Sequence, residues 1–400
     1  MNLLVIANTY PMFDRASGDL RFYQMLKILA IKHKVTFCAY SHEWQVQKFG
    51  KEECERYKHA LAELGIAVAL AGPRVELKQH RYDAVLFEFF FSALRFLKDV
   101  RVFQPEARAI VDSVDVHFHR LLSKARVTGS AEDERAARDM LRQETRIYRE
   151  SDLVIAVSDA DRAVLLEQAP DMYVEVIPNI HPMALLLPLR DSIPPTLVFV
   201  GGFRHEPNID AARYFCAEVL PLVEARVPDV RLQIIGDSPP EEISRLANES
   251  VEVLGFVPDT HPYLENAGIS VAPLRYGAGI KGKVGEAMAV GLPVVTTSVG
   301  MEGFGLEPGK DVLVGDTPEA FAEAVVRVLA DRELYDRLRR NGWQFIHERY
   351  SEEAVAERVQ GIFDGIDQYP VRRIAPLQRA TARIANLFED YVGWRLAKKQ

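Results

Sequence analysis

The chain of 400 residues is long for a single hydrophobic core, and at about 100–200 residues per domain it is expected to form two or three domains. Hydrophobic residues make up 48% of the chain and charged residues 26%, the profile of a soluble globular protein. The formal net charge of −8 argues against general affinity for nucleic acids, so no nucleic-acid partner is expected.

The cysteines and the hydropathy pattern indicate in which cellular compartment the protein is expected. Cys38, Cys54 and Cys216 are far apart and fit neither a metal site nor a CxxC motif. The chain starts without a signal-peptide pattern, and no apolar run approaches the roughly 20 residues that a membrane-spanning helix needs. We therefore expect reduced thiols and a cytoplasmic protein that is not integral to a membrane.

Short apolar runs and amphipathic stretches alternate along the first half. The apolar runs suit buried parallel strands and are Leu3–Ala7, Lys34–Ala39, Ile66–Ala71, Ala84–Phe87, Ala109–Val111, Asp152–Val157 and Val174–Ile177. Helical periodicity between these runs predicts helices that include Asp19–Ile31, Glu43–Leu64 and Glu132–Ser151.

The second half repeats this arrangement. Strands are predicted at Thr196–Val200, Arg231–Ile235, Val251–Leu254, Ile269–Ala272, Pro293–Thr296 and Val312–Val314. The helices predicted between them include Ile209–Val227, Glu241–Ala247, Lys283–Val290 and Pro318–Leu329. Repeated β–α units predict an α/β fold with doubly wound parallel sheets that carry helices on both faces.

Prolines interrupt the pattern between residues 178 and 195, where they remove backbone donors and resist regular structure. We therefore predict an N-terminal domain at 1–180, a proline-rich linker at 181–195 and a C-terminal domain at 196–366. Doubly wound sheets bind ligands beyond the carboxyl ends of their strands. Two such domains facing each other would place a site in the cleft between them.

The most informative segment runs from Arg275 to Ser298. It begins with a glycine-rich turn that carries Lys281 and Lys283, and it then opens a helix that carries Glu286. Glycines allow backbone to come close to a ligand, and a helix start offers free N–H groups and a positive dipole end. With two ammonium groups added, this turn is suited to bind a phosphate or diphosphate.

Several separated pieces of the second half form one ordered pattern. They are Phe199–Asn208 (FVGGFRHEPN), Val253–Val257 (VLGFV), Gly279–Met288 (GIKGKVGEAM), Gly291–Val295 (GLPVV) and Gly300–Gly303 (GMEG). With them, residues 196–350 resemble the nucleotide-sugar-binding domain of GT-B glycosyltransferases of the retaining, GT4-like (glycosyltransferase group 1) family. Pro11–Arg21 and Asp112–His119 match more loosely. The resemblance implies two Rossmann-like domains that face each other across a cleft.

The resemblance implies that Glu286 holds the ribose hydroxyls of a donor nucleotide and that Lys281 and Lys283 neutralise its diphosphate. A carboxylate accepts two hydrogen bonds from a diol, and Lys283 stands on the same helical face as Glu286. Each residue also has an ordinary alternative, because the helix dipole favours a glutamate near a helix start and lysines are common on surfaces. The ordered combination with the GLPVV and GMEG pieces favours the functional assignment.

The sequence departs from the family at several positions. Many members carry two glutamates eight residues apart, and Ala278 stands at the first of these positions. Gly202 and Pro207 stand where many members have an arginine and a lysine. A leaving diphosphate needs cations or N–H donors, so Arg204 and the Lys281/Lys283 pair are the substitutes, and we assign Arg204 and Gly202 to the diphosphate as well. The Gly-Ile-Lys form of the turn occurs in a subset of the family.

Two residues of the first half are further candidates. Gly18 lies in a turn that resembles the loop approaching the donor phosphate in GT-B enzymes; alternatively, Ser17 and Gly18 only make a turn and Asp19 caps the helix. His117 resembles the histidine near the reacting sugar in several GT4-like enzymes, although a histidine at a strand end can also be a local hydrogen-bonding residue. We assign Gly18 to the diphosphate and His117 to catalysis, with His119 as a rival.

Two patterns that look like metal sites are set aside. The segment 159–161 (DAD) has the DxD form of metal-dependent glycosyltransferases of the other main fold, but Ser158 and Asp161 fit a cap at a helix start. Asp115, His117 and His119 alternate as ligands on one side of an extended strand would, but nothing supplies the remaining ligands. GT-B enzymes generally use protein cations instead, so we predict no required metal and no cofactor.

The C-terminal segment 367–400 is basic and rich in apolar side chains, in contrast to the acidic chain as a whole. In GT-B folds the last helix usually crosses back onto the first domain, and that is the default expectation. The alternative is an amphipathic basic surface that rests on anionic lipid, which would make the protein peripheral at the inner face of a membrane.

Together these features predict a retaining glycosyltransferase. It would move a sugar from a nucleoside-diphosphate-sugar donor to a hydroxyl of a glycan or lipid-linked acceptor, in bacterial-type surface polysaccharide or glycolipid assembly. One alternative is a GT-B nucleotide-sugar epimerase or hydrolase, which needs no acceptor. Another is a non-catalytic GT-B partner subunit, which would not bind the donor. No pattern specifies the donor base, the donor sugar, the acceptor or the oligomeric state.

Overall fold

The computed structural model describes residues 1–183, 186–187, 189–277, 279–373 and 381. These residues form two parallel β-sheets, one of seven strands and one of six, with helices on both faces of each sheet. No helix in the described ranges is both long enough and apolar enough to span a bilayer.

The first sheet has the strand order β3-β2-β1-β4-β5-β6-β7. Its strands are β1 (Asn2–Ala7), β2 (Lys34–Ala39), β3 (Ala67–Val68), β4 (Ala84–Glu88), β5 (Arg108–Asp112), β6 (Leu153–Ala156) and β7 (Val174–Val176). The helices of this half are α1 (Ser17–Lys32), α2 (His42–Phe49), α3 (Lys51–Glu63), α4 (Pro73–Gln79), α5 (Phe89–Phe103), α6 (His117–Thr128), α7 (Ala131–Glu150) and α8 (Asp159–Gln168).

The second sheet has the strand order β10-β9-β8-β11-β12-β13. Its strands are β8 (Thr196–Val200), β9 (Arg231–Ile235), β10 (Val251–Gly255), β11 (Ile269–Ala272), β12 (Val294–Thr296) and β13 (Leu313–Val314). The helices that follow are α9 (Glu206–Tyr214), α10 (Leu220–Glu224), α11 (Glu241–Ser244), α12 (His261–Asn266), α13 (Gly282–Ala289), α14 (Pro318–Ala330), α15 (Arg332–Tyr350) and α16 (Glu352–Asp364).

Successive side chains of a strand are buried in two different cores, which explains why both sheets are covered by helices on two sides. In β1, Leu3 and Val5 join one hydrophobic core, whereas Leu4 and Ile6 join the core on the opposite face. The strands of the second sheet are divided between two cores in the same way. Strands that are apolar on both faces are stable only between two layers of helices, which is the doubly wound arrangement predicted from the sequence.

Both sheets share one topology, and it determines where ligands can bind. In each sheet the first and the fourth strand are neighbours, β1 with β4 and β8 with β11, and the chain winds away from this pair in opposite directions. Such a switch point leaves a crevice at the carboxyl ends of the two strands, and ligands of open α/β sheets bind there. The molecule therefore has two switch points, one in each sheet.

The predicted strands are all present, and the main differences concern helices. The predicted helix Glu43–Leu64 is two helices, α2 and α3, because Gly50 adopts a positive φ of 88° between them. The predicted helix Ile209–Val227 contains a π-helical turn at Phe215–Val219, just before Pro221. Proline has no backbone N–H to continue the regular hydrogen-bond ladder, which accounts for the interruption.

The chain crosses between the two halves twice, and the two crossings run side by side. The backbone N–H of His181 donates to the carbonyl oxygen of Tyr350 at 2.8 Å, and His181 forms an isolated parallel bridge with Ser351. Helix α16 follows and packs on the core of the first sheet through side chains such as Val359 and Phe363. The return crossing thus lies within the range that the sequence assigned to the second domain. Of the predicted C-terminal segment, residues 374–380 and 382–400 lie outside the described residues.

Candidate active site

The carboxyl ends of the two sheets face each other across a cleft. Ser17, the first residue of α1, lies so close to Gly282, the first residue of α13, that a Cβ on Gly282 would be 2.3 Å from the Ser17 Cβ. Arg15 Nη1 lies 3.3 Å from Asp237 Oδ1 of the second half. The two switch points therefore open into the same cleft.

Lys283 lies in the first turn of α13, and its contacts link this turn to the segment that follows β8. Its ammonium group donates to Asn208 Oδ1 and lies 4.4 Å from the centre of the Phe199 ring. Asn208 Nδ2 in turn donates to the carbonyl oxygen of Gly202 at 2.8 Å. Burial, aided by the nearby charge of Lys281, lowers the pKa of Lys283 to about 7.

The N-terminus of α13 has no side-chain cap. Its first N–H groups are therefore without the side-chain partner that often satisfies them, and an anion can take that place. Gly201 lies beside this turn, and a Cβ there would come within 2.8 Å of Lys283 Nζ. The structure thus brings Gly202, Lys283 and the free helix start together, as the diphosphate assignment requires.

Lys281 is directed into its own turn. Its ammonium group donates to the carbonyl oxygen of Gly279 at 2.6 Å and lies 3.6 Å from Glu302 Oε2 in the GMEG loop. Burial lowers the pKa of Lys281, whereas the carboxylates of Glu302, Asp161 and Asp115 oppose that shift. In this arrangement Lys281 holds the glycine-rich turn against the GMEG loop.

Arg204 lies across the cleft from Phe49 of the first half, with its guanidinium group 4.6 Å from the ring centre. It forms an ion pair with Asp237, and the same carboxylate is shared with Arg15. A Cβ on Gly202 would lie 3.5 Å from the carbonyl oxygen of Arg15. Arg204 therefore reaches the interdomain surface, where Asp237 competes with any bound anion for its charge.

Glu286 lies one turn after Lys283 in α13, and its Oε1 accepts a hydrogen bond from the Thr260 hydroxyl. Burial raises the pKa of Glu286, while Thr260, His261 and Lys283 act in the opposite direction. Its second carboxyl oxygen has no hydrogen-bond partner among the described residues, so it remains available to a hydroxyl. Ala278, where many family members carry a glutamate, lies outside the described residues.

On the first half of the chain, His117 begins α6 and is held by a buried glutamate. Its Nδ1 and its backbone N–H both lie 3.1 Å from Glu144 Oε1, and the backbone N–H of Phe118 donates to Glu144 Oε2 at 2.8 Å. The rings of Phe89, Phe90 and Phe91 surround the imidazole, with centroid distances of 5.8, 5.3 and 5.8 Å. Because Glu144 accepts at Nδ1, Nε2 is the nitrogen left for a ligand.

Gly18 lies in the first turn of α1, against the loop that follows β5. A Cβ on Gly18 would lie 3.0 Å from Val114 Cγ1, and Val114 itself has a positive φ of 54°, which is rare for a β-branched residue. The alternative assignment of Asp19 as a helix cap is wrong, because Asp19 Oδ2 accepts from the Met12 backbone N–H at 2.8 Å and α1 has no side-chain cap.

The patterns set aside as metal sites have other structural roles. Ser158 Oγ accepts from the backbone N–H of Asp161 at 3.0 Å and donates to its carboxylate at 2.7 Å, which confirms the predicted cap. His117 and His119 lie in helix α6, so they do not share one side of a strand with Asp115. Within the described ranges, no group of three or more His, Cys, Asp or Glu side chains is arranged to hold a metal.

Several residues of the cleft were not predicted from the sequence. They are Glu88, Glu144, Asn208, Asp237 and Thr260. Asn208 closes the FVGGFRHEPN piece, so its position beside the glycines was a usable signal. Glu144 is one charged residue among many on α7, and only tertiary packing distinguishes it, because it is fully buried.

Residues 194–331 match the family model described as Glycosyl transferases group 1. The second half is a group 1 glycosyltransferase domain. The predicted family is thereby confirmed, whereas the Gly-Ile-Lys variant of the motif stays a prediction.

Two curated relatives match part of the chain. One is an uncharacterized 44.6 kDa protein in the cps region of Klebsiella pneumoniae, 25% identical over 168 residues, which are 40% of this chain and 43% of the relative. The other is the lipopolysaccharide core biosynthesis glycosyltransferase LpsE of Rhizobium meliloti (strain 1021), 31% identical over 142 residues, which are 33% of this chain and 41% of the relative. The chain thus spans less than half the length of these relatives.

Solved structures confirm the GT-B fold over nearly the whole chain. Sucrose-phosphate synthase from Thermosynechococcus elongatus aligns with a TM-score of 0.67 and 18% identity, over 92% of this chain and 100% of its own. Anabaena HepE in complex with UDP and glucose aligns with a TM-score of 0.66 and 14% identity, over 90% of this chain and 99% of its own. At these identities the likeness establishes the fold and leaves the substrate open.

Proposed function

We propose that the protein is a retaining glycosyltransferase that moves a sugar from a nucleoside-diphosphate-sugar donor to a hydroxyl acceptor. The observation that supports this most is the uncapped start of α13, where Lys283 and Glu286 lie one turn apart and where Gly282, the first helical residue, lies against Ser17 of the first half of the chain. A diphosphate at the helix start with a ribose at Glu286 directs the attached sugar toward the first sheet.

In the proposed reaction the acceptor hydroxyl oxygen forms a bond to the anomeric carbon while the bond from that carbon to the diphosphate oxygen breaks. Attack from the same face as the leaving group retains the configuration, and the leaving diphosphate oxygen takes the acceptor's proton. Lys283 and the α13 N–H groups stabilise the charge that develops on the diphosphate. The Nε2 of His117 is proposed to contact a hydroxyl of the transferred sugar and hold it in place.

The ligands of two structural neighbours indicate which donors to test first. HepE was crystallised with UDP and glucose, and the pneumococcal O-GlcNAc transferase GtfA with UDP and GlcNAc. We therefore propose a UDP-sugar as the first candidate donor. Matches to a protein of a cps region and to a lipopolysaccharide core glycosyltransferase support a role in surface polysaccharide or glycolipid assembly.

A thermal-shift screen of UDP-, GDP- and dTDP-sugars tests the donor site, because a ligand that binds only the folded state stabilises it by about 2.7 kcal/mol at 100 times its Kd. We expect one nucleotide series to raise the melting temperature and the others to leave it unchanged. No shift with any nucleotide would indicate a non-catalytic GT-B subunit. Full turnover to free sugar or an epimer in the presence of acceptors would indicate a hydrolase or epimerase.

A further inference from the structure

A second cluster of ionisable side chains lies at the switch point of the first sheet, and the proposed donor site does not use it. Glu88 ends β4, and its Cα is paired in register with Asp112, which ends β5. Asp19 lies in the first turn of α1, the helix that follows β1. Three carboxyl groups are thus gathered at the edge of the sheet that faces the cleft.

The protein itself holds two of these groups. Asp19 Oδ2 accepts a hydrogen bond from the Met12 backbone N–H at 2.8 Å, and Asp112 Oδ2 accepts from Arg21 Nη1 at 2.8 Å. The guanidinium group of Arg21 also donates twice to the carbonyl oxygen of Ile177, at 3.0 and 2.7 Å. Asp112 Oδ1 is buried and has no hydrogen-bond partner in the part of the chain that the structure describes.

Glu88 is only 5% exposed, and it differs from both neighbours because it forms no hydrogen bond with a described residue. Burial, together with the charges of Asp19 and Asp112, raises the pKa of Glu88 well above its ordinary range, although Arg21 opposes this. A protonated carboxyl has one O–H to donate and one oxygen to accept, and leaving both unmade in a buried site is unfavourable. A ligand hydroxyl satisfies both at once, since an alcohol also donates and accepts.

The position of Glu88 links it to the proposed reaction. The next three residues, Phe89, Phe90 and Phe91, surround His117, which is the predicted contact of the transferred sugar. Ligands of such sheets bind at the switch point, and here that point lies opposite the donor domain. A group bound at Glu88 therefore approaches the transferred sugar from the first half of the chain.

We propose that Glu88 binds a hydroxyl group of the acceptor and that the part of the acceptor entering this site is an uncharged sugar. This inference rests on the proposed glycosyl transfer. Asp19 and Asp112 would repel a phosphate or carboxylate beside Glu88, and the two arginines that act on these carboxyl groups are already paired, Arg21 with Asp112 and Arg204 with Asp237. A sugar that offers only hydroxyl groups meets no such repulsion.

The test compares acceptors and variants, using whichever nucleotide-sugar the wild-type protein binds. Octyl glucoside, octyl galactoside and octyl mannoside are the neutral acceptors, and glucose 6-phosphate and fructose 6-phosphate are the anionic ones. The variants are Glu88→Ala, Glu88→Gln and, as a matched buried control, Glu76→Ala, because Glu76 is 9% exposed and bonded to Tyr82 on the same half of the chain.

We expect transfer to a neutral glycoside and none to the sugar phosphates. Glu88→Ala should lower the acceptor kcat/KM about 10- to 100-fold while the donor Kd stays within about twofold, since one buried hydrogen bond is lost. Glu88→Gln keeps a donor and an acceptor and should stay within about fivefold of wild type. Glu76→Ala should lower the melting temperature without changing the acceptor KM, whereas Glu88→Ala should leave the melting temperature unchanged or raise it.

Preference for a sugar phosphate, or an unchanged acceptor kcat/KM in Glu88→Ala, would overturn the inference while leaving the proposed transfer intact. A drop in melting temperature for Glu88→Ala as large as that for Glu76→Ala would also overturn it, even if no acceptor in the panel is used, because Glu88 would then be a structural residue. Failure of the wild-type protein to bind any nucleotide-sugar would instead refute the proposed function.

Discussion

The two switch points share one topology but carry different ionisable side chains. The crevice of the second sheet holds the cations Lys283 and Arg204, and its helix start is uncapped. The crevice of the first sheet holds Asp19, Glu88 and Asp112, with a single buried guanidinium group. The sheet order determines where a ligand can bind, but the side chains determine which ligand binds. One crevice suits a diphosphate, and the other suits hydroxyl groups.

Replacing the lysine of the second crevice should have the largest effect. Lys283→Met removes the charge that faces the diphosphate, and we expect donor kcat/KM to fall on the order of 100-fold, as when one group that stabilises a developing anion is lost. Steady-state kinetics with the nucleotide-sugar that binds to the wild-type protein measure this effect. The matched control is Lys310→Met, at an exposed lysine paired with Glu307, and it should retain wild-type activity. Equal losses in both variants would contradict the assignment.

On the first half of the chain, weakening the hydrogen bonds that hold His117 should lower kcat about tenfold. Glu144→Gln cannot accept from both N–H groups at the start of α6, so the imidazole loses its fixed orientation, and we expect the free energy of unfolding to fall by about 1–3 kcal/mol. Chemical denaturation and single-turnover kinetics measure the two effects. Donor Kd should not change.

The rival histidine supplies the control for that experiment. His119→Ala should leave kcat within about twofold of wild type, while His117→Ala should match or exceed the loss in Glu144→Gln. The reverse order would move the catalytic assignment to His119 and would separate Glu144 from the reaction.

Donor binding should weaken as the pH rises. We expect Lys283 in the second crevice to cause this, and not a residue of the first crevice. Lys283 has a pKa lowered to about 7, and only its protonated form attracts a diphosphate. Donor affinity should therefore be greatest below pH 7 and fall by up to about tenfold per pH unit above it, until the pKa of the complex is reached. Calorimetric titration between pH 6 and 9 measures this. Lys283→Arg, which stays charged, should abolish the slope, and an unchanged slope would contradict the prediction.

The smallest effect is expected where the two halves touch. Gly282→Ala would normally favour helix α13 by up to about 1 kcal/mol, but its Cβ would lie 2.3 Å from the Ser17 Cβ. We expect a few-fold loss in kcat/KM because the halves are forced apart. The double variant Gly282→Ala with Ser17→Gly should recover the activity. If the activity is not recovered, the loss arises within α13 and not from the contact between the two halves.

The sequence predicted the fold well because the signals for it are local. The central strands are apolar runs with both faces buried, and the motif pieces occur in order, so the GT-B fold and the group 1 family followed from them. Helix interruptions were harder to predict: Gly50 splits one predicted helix by its positive φ, which the surrounding helical pattern conceals.

The site was predicted less completely because its supporting contacts join distant parts of the chain. Glu144 lies 27 residues from His117, and Asn208 lies 75 residues from Lys283. Glu88 ends an apolar strand and looks like a boundary residue until the strand order brings it beside Asp112. Only the folded sheet shows that the first crevice is acidic.

The difference between the two crevices can be tested most directly by calorimetric titration of the preferred nucleotide into wild type, Lys283→Met, Glu286→Gln and Glu88→Ala. We expect Lys283→Met and Glu286→Gln each to weaken nucleotide binding by about tenfold or more, while Glu88→Ala stays within about twofold of wild type. Binding that weakens as much in Glu88→Ala as in Lys283→Met, or no binding of UDP, GDP or dTDP to the wild type, would contradict it.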